Sequence, residues 1–145
     1  MDTTGVIASL TQFKKLLALK SAAAQRTYHL RPVELNILLM LHGNPGLDTA
    51  RDIMHRLHVS KAHVSQSLDH LKSGGFICLQ EDPQDRRVFH IRLRQSAIDA
   101  AEEMEAIYGE CWALAMRNVS PEEVSTLLRV TQKMSDNISA ALTEE

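Results

Sequence analysis

LHVSKAHVSQSLDHLKSGGFICLQEDPQDRRVFHIRL, residues 57–93, decides the fold. Ser60 is placed to accept hydrogen bonds from the first amides of KAHVSQSLDHLKS, whose Val64, Leu68 and Leu71 make one apolar stripe at helical spacing. Gly74-Gly75 then predicts a left-handed stop. Phe76-Ile77-Cys78-Leu79 has the composition of a strand, EDPQDRR that of a polar tip containing a proline, and Val88-Phe89-His90-Ile91-Arg92-Leu93 that of a returning strand. A glycine-closed helix followed by a β-hairpin is expected.

Upstream, Thr49 and Asp52 make a capping box with Asp in place of Glu, opening a short helix ARDIMHRL with Ile53, Met54 and Leu57 facing inward. Two short helices around a tight turn are the pattern of a helix-turn-helix. Pro32 suits the first turn of a helix, and ELNILLMLH is apolar enough to be buried, up to the stop at Gly43-Asn44-Pro45-Gly46. From about 5 to 25, Val6, Leu10, Phe13 and Leu17 recur on one helical face. Downstream, Ile98, Ala101, Met104, Tyr108, Cys111 and Ala115 keep helical spacing between about Ser96 and Asn118. Ser120-Pro121-Glu122-Glu123 restarts the chain, with Ser as cap, Pro first and Glu three residues after the cap. Val124, Leu127, Thr131, Met134, Ile138 and Leu142 then form a continuous seam. The expected architecture is mostly α with a small β-hairpin wing. It reads as one domain over 1–145, with a winged helix-turn-helix lobe at about 30–94 and outer helices at about 5–25 and 96–142.

With 145 residues and 44% hydrophobic content, a packed core is within reach. MDTTGVIASLTQFKK lacks the order of a secretory signal, and no stretch has the roughly 18 uninterrupted apolar residues of a membrane span, so a soluble cytoplasmic protein is expected. Residues 1–94 hold 13 Lys/Arg against 8 Asp/Glu, whereas 95–145 hold 3 against 10. A basic front part can lie on phosphate while an acidic tail stays in solvent.

With its apolar stripe inward, the second helix of the pair presents Ala62, His63, Gln66, Asp69 and His70. Such a helix fits the major groove of double-stranded DNA. Gln66 suits a bidentate contact to adenine, Ala62 a thymine methyl, and Lys61 guanine or phosphate. Ser60 and Ser65 can donate to phosphate, which positions without specifying sequence. Asp69 is discordant. It either lies off the phosphate path or pairs with a wing arginine. A single lobe buries little DNA surface, and the apolar seams of the outer helices exceed the needs of its own core. A homodimer with outer dimerisation helices, reading an inverted repeat, is expected.

This order of elements resembles the multiple-antibiotic-resistance regulator (MarR) family. The likeness is closest in residues 57–93, including the D-P-x-D-R-R tip, and extends in helix order over nearly the whole chain. Leu93-Arg94-Gln95-Ser96-Ala97 departs from the Leu-Thr and nearby Gly that often continue the family's pattern. The resemblance implies that Asp85 holds the guanidinium of Arg87 for insertion into the minor groove while Arg86 meets the backbone. An inserted arginine reads the narrow, negative groove of an A-tract more than base identity. It also implies a small-molecule effector, aromatic or phenolic, bound between dimer helices and DNA-binding lobe, and a repressor of ligand-responsive type. Tyr28, His29, Arg31, Met40, Tyr108 and Trp112 combine aromatic faces with a cation that suits such a site, although most of them read first as core.

Other chemistries find less support. His55, His58, His63 and His70 form no closed ligand set, and Cys78 and Cys111 stand apart, so no metal or other cofactor is called for, with a metal-responsive regulator as an alternative. Cys111 lies on an apolar face, where burial keeps a thiol protonated and inert. No phosphate loop, nucleophile elbow or HExxH motif is present, which argues against an enzyme. An aromatic content of 4% offers no stacking platform for RNA. A winged-helix protein-interaction module without DNA binding is the rival of a different class.

Overall fold

The structure is a computed structural model that describes residues 3–143. Its elements are α1 (Thr3–Tyr28), α2 (Pro32–Gly43), α3 (Ala50–Leu57), α4 (Lys61–Ser73), β1 (Ile77–Glu81), β2 (Phe89–Leu93), α5 (Gln95–Ala115) and α6 (Pro121–Thr143). The mostly helical fold with one antiparallel hairpin matches the expected class. Two compact units result, one ending at Cys111 and the other beginning at Trp112. No helix of the described residues is long and apolar enough to cross a membrane.

The core of the first unit is gathered around α2. Leu35, Ile37, Leu38 and Leu41 are buried against Ile53 of α3, Val64, Leu68 and Leu71 of α4, Ile77 and Ile91 of the hairpin, and Ala97, Ala100, Ala101 and Met104 of α5. Ala97, Ala100 and Ala101 at the start of α5 are fully buried. In α4 the buried positions 64, 68 and 71 are those of the apolar stripe, so the helix turns its remaining face outward.

Helix boundaries follow local chemistry. The Thr49 hydroxyl accepts from the Asp52 amide at 3.2 Å while the Asp52 carboxylate accepts from the Thr49 amide at 3.0 Å, closing the expected box. Ser60 accepts from the His63 amide at 3.3 Å. Ser120 and Glu123 make the same reciprocal pair at the start of α6. At the other end of α4, the Gly74 amide donates to His70 O, Gly75 to Lys72 O and Phe76 to Leu71 O. Gly75 takes the left-handed conformation, φ 78°, and a side chain on Gly74 would meet the Phe76 ring at 3.0 Å. Gly75→Ala is expected to cost about 1–2 kcal/mol, the penalty of an L side chain in that region, measurable by urea unfolding. His29, His58 and Asn118 are left-handed without being glycine.

The strands begin later than apolar composition suggests. Phe76 spends its N–H closing α4, and Val88 donates to Asp85 O within the tip, so pairing runs from Ile77↔Leu93 to Glu81↔Phe89. The hairpin is tied at both ends. Arg94 N–H donates to Phe76 O at 2.9 Å, and Ile91 N–H to Asp48 O at 2.7 Å, just ahead of the α3 cap. α1 runs further than 5–25 because nothing stops it before Tyr28, after which His29 turns left-handed and Leu30 N–H closes on Gln25 O.

In the second unit α6 buries none of its residues, and Leu127, Leu128, Met134, Ile138 and Leu142 are all exposed.

Candidate nucleic-acid interface

Helix α4 exposes Lys61, Ala62, His63, Ser65, Gln66 and Asp69, and the cap residue Ser60 lies with most of these on one open face. The cap uses the His63 amide, while those of Lys61 and Ala62 precede the helical ladder and suit an anion. Gln66, with one amide donor pair and one carbonyl, stands near the middle of this face. Asp69 forms no ion pair among the described residues, so the pairing with a wing arginine is not made. It lines, with Lys61, Ser65 and Arg87, a cleft of about 620 Å³ between α3, α4 and the hairpin, floored by Met54, Leu68 and Phe89.

His70, read from sequence as groove-facing, is half exposed and turned to Glu34, with Nδ1 2.9 Å from Oε1. Glu34 is fully buried on the otherwise apolar α2. Its carboxylate also caps α2 by accepting from the Arg31 amide at 2.8 Å, and Arg31 Nε donates to it at 2.9 Å. Burial raises the carboxyl's pKa, but the bonds from Arg31 and then His70 outweigh that and hold it below its ordinary value. Glu34 thus fixes the C-terminal half of α4 to the start of α2. Sequence reasoning passed over it, because a lone Glu at the third position of a helix reads as a cap alone.

The wing tip is built from its own side chains. Asp82 Oδ1 accepts from the Gln84 and Asp85 amides at 2.8 and 2.9 Å, folding the turn. Asp85 then accepts from Arg87 Nε at 3.1 Å and Nη2 at 3.2 Å, a bidentate pair on an arginine whose side chain is 90% exposed. That pairing lowers the Asp85 pKa. As a surface pair it adds little stability, but it fixes the direction in which the cation points. Arg86 is as exposed and only loosely paired, 3.4 Å from Glu81. Behind the tip, His90 sits between Asp48 and Asp82, and Arg92 Nη1 reaches Asp48 at 2.6 Å.

Of the residues considered for a small-molecule site, Tyr108 alone lines a largely apolar cavity of the first unit, about 470 Å³, with Leu10, Phe13, Leu17, Pro32 and Met104. Its hydroxyl donates to Asn36 Oδ1 at 3.1 Å, and burial raises its pKa. Tyr28, half buried, has its pKa raised by burial and by a hydrogen bond to Glu103. His29 is exposed, Arg31 is engaged with Glu34 and Met40 is buried in the core, while Trp112 belongs to the second unit. Among the described residues no three His, Cys, Asp or Glu are grouped to hold a metal ion. Cys78 is a half-buried and Cys111 a buried free thiol.

Residues 30–88 match the model of the MarR family. A MarR-family transcriptional regulator from Listeria monocytogenes, solved with a 26-mer DNA, superposes with a TM-score of 0.84 at 13% identity, over 97% of this chain and 91% of that one. A MarR protein from Peptoclostridium difficile gives 0.82 at 17% identity over the same shares. BpsR of Bordetella bronchiseptica, solved to explain control of its DNA binding by 6-hydroxynicotinic acid, gives 0.76 at 17% identity over 94% of each chain. Identities this low speak for the fold.

Proposed function

We propose that the chain, whose residues 30–88 match the model of the MarR family, is a homodimeric, sequence-specific DNA-binding regulator of transcription acting in the cytoplasm. One observation carries this: the outward face of α4 and the Asp85-held Arg87 border the same open cleft. A helix in the major groove and a cation beyond its end, reaching the adjacent minor groove, make one continuous footprint. Ser60, Lys61 and Ser65 position it on phosphate, Gln66 and Ala62 read base edges, and Arg86 meets the backbone. His63 borders the groove, and His70 supports the helix through Glu34.

Two copies related by a two-fold axis would set their α4 helices about 34–36 Å apart and call for an inverted repeat. Repression relieved by a small effector fits the cavity beside Tyr108, whose mostly apolar walls, with Lys14, Gln25 and Asn36 among them, suit an aromatic or phenolic acid. Such a molecule acts by favouring one dimer geometry over another. Nothing in this function requires catalysis, a metal or another cofactor.

Fluorescence anisotropy on selected and random duplexes across a salt series tests the proposal. Affinity should fall with a log-log slope of about −0.9 for each phosphate neutralised. Arg87→Ala is expected to weaken binding to both duplexes, and Gln66→Ala to relax preference at one base pair by about 1–3 kcal/mol. Equal losses from both changes on both duplexes would refute these roles. A folded chain that binds neither duplex at low salt would instead be a protein-interaction module.

A further inference from the structure

A chain of hydrogen bonds runs from the start of the helix-turn-helix to the wing tip. The His90 ring has Nδ1 2.8 Å from Asp48 Oδ1 and Nε2 2.8 Å from Asp82 Oδ2. Carboxylates only accept, so both ring nitrogens must carry hydrogen, and the ring that makes both bonds is an imidazolium. The other oxygen of Asp82 holds the tip amides of Gln84 and Asp85, and Asp85 holds Arg87. The other oxygen of Asp48 is held by Arg92, whose Nε donates to Gln80, the residue opposite His90 in the strand register.

We propose that His90 is a positioning residue for DNA binding, which as an imidazolium ties Asp82 to Asp48, sets the wing tip and Arg87 against α4, and releases the tip when it loses its proton. The proposal rests on the DNA-binding function above. A neutral ring has one N–H and one lone pair, so one of its two carboxylates must then face a lone pair. Asp48 keeps Arg92, so Asp82 is the one released. The charged groups facing the ring are Asp48 from the turn before α3, Asp82 from the wing, and Arg92 beside it across Asp48. With the proton they balance; without it one negative charge is left over.

The directions in which the neighbouring groups shift the pKa values agree with this geometry. His90 is raised above 6.5 by its bond to Asp82 and then by that to Asp48. Asp82 is lowered to about 2, first by His90 and then by the tip amides. A raised histidine contributes fully below its ordinary value and loses the contribution as pH rises through the raised one. A lowered aspartate contributes fully above its ordinary value and loses it as pH falls towards about 2. The tie is therefore closed in mild acid, up to the lower edge of the His90 titration, and opens on the alkaline side.

The experiment compares the full-length protein with His90→Gln and Asp82→Asn between about pH 6 and pH 9. Amide NMR signals of Gln84, Asp85 and Arg87 are followed without DNA, and anisotropy with a random duplex. In the wild type the tip signals should move with the His90 titration while affinity falls by about tenfold, a common size for coupling between two binding events. His90→Gln should be weak and flat across this range. In Asp82→Asn the new carboxamide can donate to a neutral ring while its oxygen keeps the tip amides, so this variant should hold its affinity where the wild type loses it. The remaining histidines are common to all three proteins, so the difference isolates His90, and Asp82→Asn decides the matter should His90→Gln not fold. Tip signals indifferent to His90, or a wild-type pH profile kept in Asp82→Asn, would overturn the proposal. Responsive tip signals in a protein that binds no DNA would uphold the tie and remove the DNA-binding function instead.

Discussion

The double substitution Met134→Glu, Ile138→Glu is expected to turn a dimer into a monomer and to weaken binding to an inverted-repeat duplex by about 100-fold or more. The size follows from avidity: joining two half-site contacts multiplies affinity by about 10²–10⁴ without any new contact to DNA. The place follows from α6, a helix of 23 residues that buries none of them in the single chain and carries Leu127, Met134, Ile138 and Leu142 along one seam. A lone helix of this length draws most of its stability from packing, so such a seam calls for a cover. In the proposed homodimer a second copy would supply it with the same residues, as a two-fold interface requires. Two carboxylates in that seam would lose their hydration without gaining a partner. Sedimentation equilibrium reads the mass and anisotropy the affinity. A wild type that is monomeric at micromolar concentration, or a variant that stays dimeric, would refute the dimer through α6.

Leu71→Ala is expected to lower the unfolding free energy by about 2–5 kcal/mol, a large share of the stability of a domain this size. Leu71 is fully buried at the C-terminal end of the apolar stripe, and its carbonyl also accepts the Phe76 amide that closes α4. Removing its side chain leaves a void under the α4 helix where α2 and the hairpin meet. The midpoint of urea unfolding should drop with little change in slope, and DNA affinity should fall less than stability once the protein is assayed folded. A loss below about 1 kcal/mol would mean that the surrounding leucines collapse into the gap.

What could be read from sequence was set by range along the chain. The boxes at Thr49-Asp52 and Ser120-Glu123 span three residues and have few alternatives once an apolar period follows, so α3 and α6 begin where expected. The stripe on α4 and the glycine stop are equally local. Glu34 with His70, His90 with Asp48, and Arg92 with Asp48 are separated by 36, 42 and 44 residues, and no local period points from one to the other. His70 illustrates the consequence. Helical geometry puts it on the outward face, but a buried carboxylate on another helix claims its ring. Phe76 and Val88 are apolar enough for strands, yet their amides close a helix and a turn, a matter of hydrogen-bond partners that composition does not record.

The joints of the winged helix-turn-helix lobe differ in stiffness. His58, between α3 and α4, holds φ 52° and ψ 42° with a full side chain, a narrow basin that costs about 1–3 kcal/mol to occupy. A joint of that kind resists bending, so α3 and α4 travel together as one rigid piece. At the far end of α4, Gly75 occupies its positive φ without strain and opens a wide range of neighbouring angles. What angular play there is lies where the helix passes into the hairpin, within the limits set by the Ile91–Asp48 and Arg94–Phe76 bonds, so that in the proposed complex the wing would adjust to groove width while the helix keeps its seat.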